Sequence, residues 1–275
     1  MDRDRRKLIV AGSALAISQV AAVRAGEQAA RDGRTAVTRQ EQLAMVTQRT
    51  GGHYTCVRTM ESNEGPYYYE SSLRRSNITE GRKGVPLRLR ILAANAVLPG
   101  DTCSALTDAV VDVWQADADG QYSNVGTDFQ QENAVGKTFL RGHQITDPAG
   151  YVEFETIVPG WELVSVPGPQ RAVVRATHIH VKVYHQRQVA TTQLYFPDDY
   201  LDEIYASVDP YRSHQKMTAP GATGEFDRLR NAQDTAFIAD KSKPMEIQRA
   251  ANGIMAQATI GLVTLGSRGI APLFR

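Results

Sequence analysis

The run His178-Ile179-His180-Val181-Lys182-Val183-Tyr184 alternates polar and apolar residues without a break. Period two marks a half-buried β-strand, because successive side chains leave opposite faces of the pleat. Ile179, Val181 and Val183 would face a core, and His178, His180, Lys182 and Tyr184 the other side. Similar runs occur at 87–91, 109–114, 152–158 and 191–196. Turn-formers punctuate them at Leu98-Pro99-Gly100-Asp101, Asp117-Ala118-Asp119-Gly120, Asp147-Pro148-Ala149-Gly150, Pro159-Gly160 and Pro167-Gly168-Pro169. Short strands with regular turns predict an all-β fold, an antiparallel β-sandwich with long loops and little helix. Beyond Phe196 the chain is mixed and more polar. A helix is expected within 226–239, and a final strand over 258–265, where the pattern also admits a helix.

The chain has 275 residues, 42% hydrophobic and 22% charged, enough for a packed core. Its net charge of +1 gives no electrostatic case for nucleic acid. Residues 1–25 carry Arg3, Arg5, Arg6, Lys7 and Arg24 against Asp2 and Asp4, and without them the remainder sits near −2. A charged start followed by the short apolar stretch 8–23 reads as an export signal, and Arg5-Arg6 resembles a twin-arginine signal in part. The stretch is too short and too polar for stable membrane insertion. Residues 26–50 have little apolar periodicity and read as a linker, with one domain over 51–275. The only cysteines are Cys56 and Cys103. An even count in an exported chain favours one disulfide, with a loop-closure contribution of about 3–4 kcal/mol; two free thiols are the alternative. Two cysteines also make a zinc site a poor reading.

His178 and His180, one pleat apart on one face, can bind a single metal ion through ring nitrogens. Alone, the pattern favours a strand whose solvent face happens to carry two histidines. The surrounding segments change that balance. Glu64-Gly65-Pro66-Tyr67-Tyr68, the stretch 112–123 ending Gln121-Tyr122-Ser123, Phe139-Leu140-Arg141-Gly142-His143-Gln144, Thr156-Ile157-Val158-Pro159-Gly160-Trp161 and His178-Ile179-His180-Val181 occur in that order. Together they resemble the intradiol ring-cleavage dioxygenases, in particular their exported branch, over about 54–265.

The resemblance implies a β-sandwich holding one mononuclear non-haem Fe(3+) ion, with a small aromatic diol of the catechol type and O2 as substrates. It implies Tyr122 as a tyrosinate ligand and His178 and His180 as histidine ligands. It further implies Arg175 as the active-site arginine, able to stabilise developing negative charge, and Gln193 as a glutamine near the reacting carbons. Members of the family are often homodimers, though no heptad or apolar patch marks such an interface in this sequence.

One position departs from the pattern. The family has a second ligand tyrosine just after Pro-Gly-Xaa, where this chain has Glu162; an alternative placement through Pro167-Gly168-Pro169 gives Gln170. No tyrosine lies between Tyr151 and Tyr184, so its loss does not depend on the placement. Glu162 preserves the ligand charge but is a poorer proton acceptor than a phenolate, about 4.3 against about 10 in pKa. Three readings follow: a ferric site with Glu162 at the metal as ligand and base; a degraded site with Glu162 in solvent; or a ferrous His/His/Glu site. A non-catalytic module binding catechols or ferric catecholates is the rival function. The stretch 163–174 is longer than the corresponding loop of compact exported members, which would reshape the pocket mouth. Tyr67 and Tyr68 read as pocket lining or packing, Trp114 and Trp161 as core, and His143, after an expected Arg141-Gly142 turn, as second-layer or surface. Asp112 is a candidate partner for Arg175 or for a loop.

Overall fold

The computed structural model describes residues 59–96, 104–165, 172–213, 216–217 and 226–262, all within the unit Thr55–Arg275. The expected export signal 1–25 and linker 26–50, both cysteines and Gln170 lie outside the described residues. The strands in chain order begin with β1 (Pro86–Asn95), β2 (Ser104–Ala105), β3 (Val110–Trp114), β4 (Arg141–Ile145) and β5 (Tyr151–Ile157). Then come β6 (Glu162–Ser165), β7 (Ala172–Arg175), β8 (His178–His185) and β9 (Gln188–Tyr195). A helix α1 (Asp198–Ser207), the short strands β10 (Lys216–Met217) and β11 (Phe226–Asp227), and a short helix α2 (Thr235–Ala239) precede β12 (Glu246–Ala250) and β13 (Gly253–Leu262).

Two sheets make the expected sandwich. One runs β12-β13-β1, with β5 and β2 both pairing with β1; the other runs β4-β3-β8-β9. Most pairs are antiparallel, but β1 and β13 are parallel, with Leu87 opposite Ile254. A long intervening stretch of chain lets two such distant strands align parallel without a hairpin. The pleat sorts side chains as the alternation predicts. Ile179, Val181 and Val183 of β8, Val111 and Val113 of β3, Leu87, Leu89 and Ile91 of β1 and Phe154 of β5 share one buried core. His178 and His180 leave the other face, beside Trp114 and Asp112, which pair with His180 and Lys182 across β3 and β8.

A segment from Thr59 to Ile78 lies across this outer face. The Ser62 amide donates to Thr191 O of β9 at 2.8 Å, and the His143 amide of β4 donates to Leu73 O at 2.9 Å. This strap corrects one expectation: Arg141-Gly142 is the start of β4, not a turn. The chain reverses one residue earlier, at Leu140 with φ 57°. Gly142 is small because the strap packs on it; a Cβ there would lie 2.9 Å from Ile78 Cγ2.

Three further readings are refined by the structure. The polar stretch after Phe196 contains α1, whose buried residues Tyr200, Leu201, Ile204 and Tyr205 fall on one face, with Asp198 and Asp199 in the first turn, where acidic groups suit the helix dipole. The helix expected within 226–239 is confined to α2 and a preceding 3₁₀ turn (Asn231–Gln233), because Phe226–Asp227 pairs with β10. The final strand starts at Gly253, earlier than the expected 258, and residues 263–265 lie outside the described residues.

Helix α1 reaches the site through Tyr205, whose hydroxyl accepts the Trp161 amide at 2.6 Å. Gly160, just before, has no room for a side chain: a Cβ would sit 2.4 Å from Ala118 O, a backbone atom that cannot swing aside. Gly160→Ala is therefore expected to cost about 1–3 kcal/mol, the usual range for overpacking, read as a lower midpoint in urea. An unchanged midpoint would mean that the contact between this turn and the 117–120 turn yields freely.

Candidate metal centre

His178 and His180 are both buried, 3% exposed. The Nδ1–H of His178 donates to Ala176 O at 2.7 Å, which leaves its Nε2 lone pair free to ligate. That Nε2 lies 3.0 Å from His180 Nε2. Two ligands about 2.1 Å from one ion, at a right angle, stand about 3.0 Å apart, so the pair has the spacing of adjacent positions on a single metal. The His180 ring stacks on Trp114, with centroids 4.8 Å apart and planes within 5°. Gly65 of the strap closes over it, its Cβ direction 3.4 Å from His180 Cε1.

Glu162 opens β6 and is 4% exposed, so it does not point into solvent as the degraded-site reading required. Its Oε1 lies 3.4 Å from His178 Nε2, while Oε2 is buried without a hydrogen-bond partner. Glu162, His178 and His180 place one donor atom each within 4.8 Å of one another, the one such three-residue cluster found among the described residues.

Tyr122 joins them from the loop between β3 and β4. Its backbone is gripped by Gln130, which accepts the Tyr122 amide at 2.7 Å and donates to Tyr122 O at 2.9 Å. Its ring packs on Tyr67 at 4.9 Å, and its phenol lies near enough to Glu162 to feel that group's charge. Complete burial, then the Glu162 charge, push this phenol well above its usual pKa. Burial also pulls both imidazoles below theirs, His180 the further, favouring the neutral, ligating form. The donors are two imidazoles, a carboxylate and a phenol, with an orphaned carboxylate oxygen among them. This set fits an iron ion.

Arg175 pairs with Glu162 across β6 and β7. Asp234, not Asp112, is its partner, with Arg175 Nε donating to Oδ2 at 2.8 Å. Arg175 Nη2 donates to Gln193 Oε1 at 2.6 Å. Gln193, opposite His180 in β9, also accepts from the Tyr195 hydroxyl and donates to Asn63 O. Its amide therefore braces Arg175 and the strap. Asp234 and Tyr195 escaped the sequence reading; the Asp234-Thr235 step is a helix-start signal that marks the former. Trp161 is core, Tyr67 and Tyr68 pack against Tyr122 and Trp114, and 166–171, the tip of the β6–β7 hairpin, lies outside the described residues.

Further along the outer face, Asp112, His143 and Tyr184 line a cavity of about 550 Å³. Asp112 accepts from the Tyr68 hydroxyl at 3.3 Å. Burial raises its carboxyl to about 6, against the opposing pull of that hydrogen bond and of Arg141. A carboxyl raised on folding costs stability as pH climbs from about 4 through about 6, because the native state must release a proton it holds more tightly than the unfolded chain. Asp112→Asn keeps an acceptor for Tyr68 and removes the charge. It is expected to match the parent near pH 4 and to be more stable above pH 7 by about 1–3 kcal/mol, measured by urea unfolding at both values. A deficit at pH 7 would mean that attraction to Lys182 and Arg141 outweighs burial.

The comparisons agree with this geometry. Residues 63–225 match the Dioxygenase family. Chlorocatechol 1,2-dioxygenase of Pseudomonas putida is 27% identical, over 48% of this chain and 52% of its own, so the chain spans about half the length of that curated relative. The solved intradiol ring-cleavage dioxygenase of Tetranychus urticae superposes with TM-score 0.58 at 26% identity, covering 76% of this chain and 96% of that one. The dioxygenase domain of a dioxygenase carbohydrate-binding protein fusion from Streptomyces sp. SirexAA-E superposes with TM-score 0.50 at 29% identity, covering 75% and 98%.

Proposed function

We propose, for a chain that belongs to the intradiol ring-cleavage dioxygenase family, that it cleaves a catechol-type diol with O2 at one non-haem Fe(3+) ion held by Tyr122, Glu162, His178 and His180. The observation that carries this reading is the convergence of the two Nε2 atoms, 3.0 Å apart, with the buried Glu162 carboxylate and the Tyr122 phenol. When bound, ferric iron would supply a hard Lewis acid that makes a catechol-type ring reactive toward O2. Tyr122 and Glu162 bring the negative charge that such an ion requires. Glu162 stands where the family's second tyrosine would, and takes the proton that a catechol hydroxyl releases on binding. Arg175 donates to negative charge developing on the opened ring, held in place by Gln193. Trp114, Tyr67 and Gly65 cover the histidines and keep water out. Export through a signal at residues 1–25 is part of the proposal, supported by its charged start and apolar stretch.

The experiment is anaerobic loading with ferric iron, addition of catechol, then oxygen. The expected result is a visible charge-transfer band that shifts with catechol, followed by oxygen uptake and a muconate-type diacid. Tyr122→Phe should abolish most of the band, and His178→Ala, His180→Ala or Glu162→Ala should reduce bound iron at least tenfold in still-folded protein. The replacement of the second tyrosine also admits a module that binds catechol without consuming it. A band that shifts with catechol but no oxygen uptake would establish that reading instead.

A further inference from the structure

We infer that Asp234 is the positioning residue that sets Arg175 for the ring-opening chemistry, which makes the segment 231–240 part of the active site although it lies beyond the family match at 63–225. The inference rests on the proposed function. Asp234 is fully buried. Its two oxygens grip the guanidinium side-on: Oδ2 takes Nε–H at 2.8 Å and Oδ1 takes Nη2–H at 3.2 Å. Oδ2 also accepts the Ala176 amide at 2.8 Å, fixing the backbone between Arg175 and the His178 strand. Oδ1 accepts the Ala236 and Phe237 amides at 2.9 and 3.0 Å, so the same carboxylate caps α2. Burial alone would raise its pKa, yet these donors hold it below the usual value.

The arrangement leaves one nitrogen of the guanidinium free. Nε and Nη2 are engaged by Asp234, Gln193 and Tyr195, whereas Nη1 has no hydrogen bond among the described residues. The guanidinium is a rigid plane, so fixing its Nε side against a buried carboxylate presents the Nη1 hydrogens, already oriented, to an anionic ligand. The carboxylate also prevents Arg175 from turning to pair with Glu162, its cross-strand neighbour, and drawing that group from the metal donors. Phe237 of the capped helix adds a second brace: its ring meets Tyr195 edge-on at 4.9 Å, and Tyr195 lies against His178 at 5.6 Å.

The test is a double-mutant cycle on iron-loaded protein, with every rate expressed per bound iron. Asp234→Asn retains a helix cap. It should leave iron content and the charge-transfer band in place and lower kcat for catechol at least tenfold, with KM moving less than threefold. In an Arg175→Gln background the same substitution should cost less than twofold, because there is no longer a guanidinium to set; the double variant also carries no unpaired buried charge. An equal loss in both backgrounds, or a band and rate that fall together with folded fraction, would overturn the positioning role. Wild-type protein supplies an arm that does not depend on variant folding or on turnover. The Arg175 Nε–H resonance, assigned by its absence in Arg175→Lys, should exchange with solvent at least a hundredfold more slowly than those of exposed arginines. Fast exchange sinks the clamp even in an active enzyme. Slow exchange in a protein that does not consume catechol leaves the clamp standing and removes the proposed reaction.

Discussion

Everything at the candidate site depends on the pleat of one strand. β8 gives Ile179, Val181 and Val183 to the sandwich core and His178 and His180 to the opposite face. A slip of one residue would exchange the two sets, so the apolar burial that stabilises the fold also fixes the register of the metal donors. The histidines are thus held by a large hydrophobic term that does not involve them. Their spacing needs no further adjustment than the Nδ1 hydrogen bond to Ala176 O.

A sheet face carrying imidazoles, a carboxylate and a buried arginine would normally be left to water. Here the 59–78 strap closes it, which turns a solvent face into an interior one and makes each polar group costly unless partnered. Most are. Gln193 uses both ends of its amide, Gln130 does the same at Tyr122, and Asp234 takes up donors from Arg175 and three backbone amides. The atoms left over are informative. Glu162 Oε2 is buried without a partner inside the donor cluster, where an ion would complete it. His180 Nδ1 is unpartnered too, but it is the ring nitrogen other than the one that faces His178.

The sequence exposed the parts of this design that local periodicity encodes. The alternating runs of β1, β5 and β8 and the face shared by the two histidines were legible because a two-residue period is visible without knowing any partner. The ordered motifs then brought Tyr122, Arg175 and Gln193 into view by resemblance. What stayed hidden depends on distant contacts. Gly142 reads as a turn until the strap that presses on it is known, and β4 reads as part of a loop. Helix α1 was obscured because its stripe of Tyr200, Leu201, Ile204 and Tyr205 is short and interrupted by acidic residues. Asp234 lies 59 positions from the arginine it holds, a pairing that no window along the chain contains. Asp112, about as distant in sequence and equally acidic, is the wrong candidate because its strand position directs it to Tyr68.

A carboxylate at position 162, beside the Tyr122 phenol, alters how charge is distributed over the donor set. The carboxylate raises the Tyr122 phenol, whereas the buried guanidinium groups of Arg141 and Arg175 lower it without prevailing against burial. Arg141 itself has no carboxylate pair among the described ion pairs; Ser123 takes up its Nε and Nη2 donors, Nη1 is left unpartnered, the Tyr69 ring meets its face, and the Tyr122 ring lies 6.0 Å away. The phenol and the carboxylate therefore lie close together between two fixed cations. A metal ion held by the imidazoles would favour the anionic form of both, because its field acts at bond length in a medium with little water. The two arginines act on the phenol in the same direction. Asp234 takes up Arg175, whereas Arg141 has no carboxylate partner among the described ion pairs, so Arg141 is the cation that acts more strongly on the phenol; burial and the Glu162 charge still hold Tyr122 well above its usual value, which leaves its deprotonation to a bound metal.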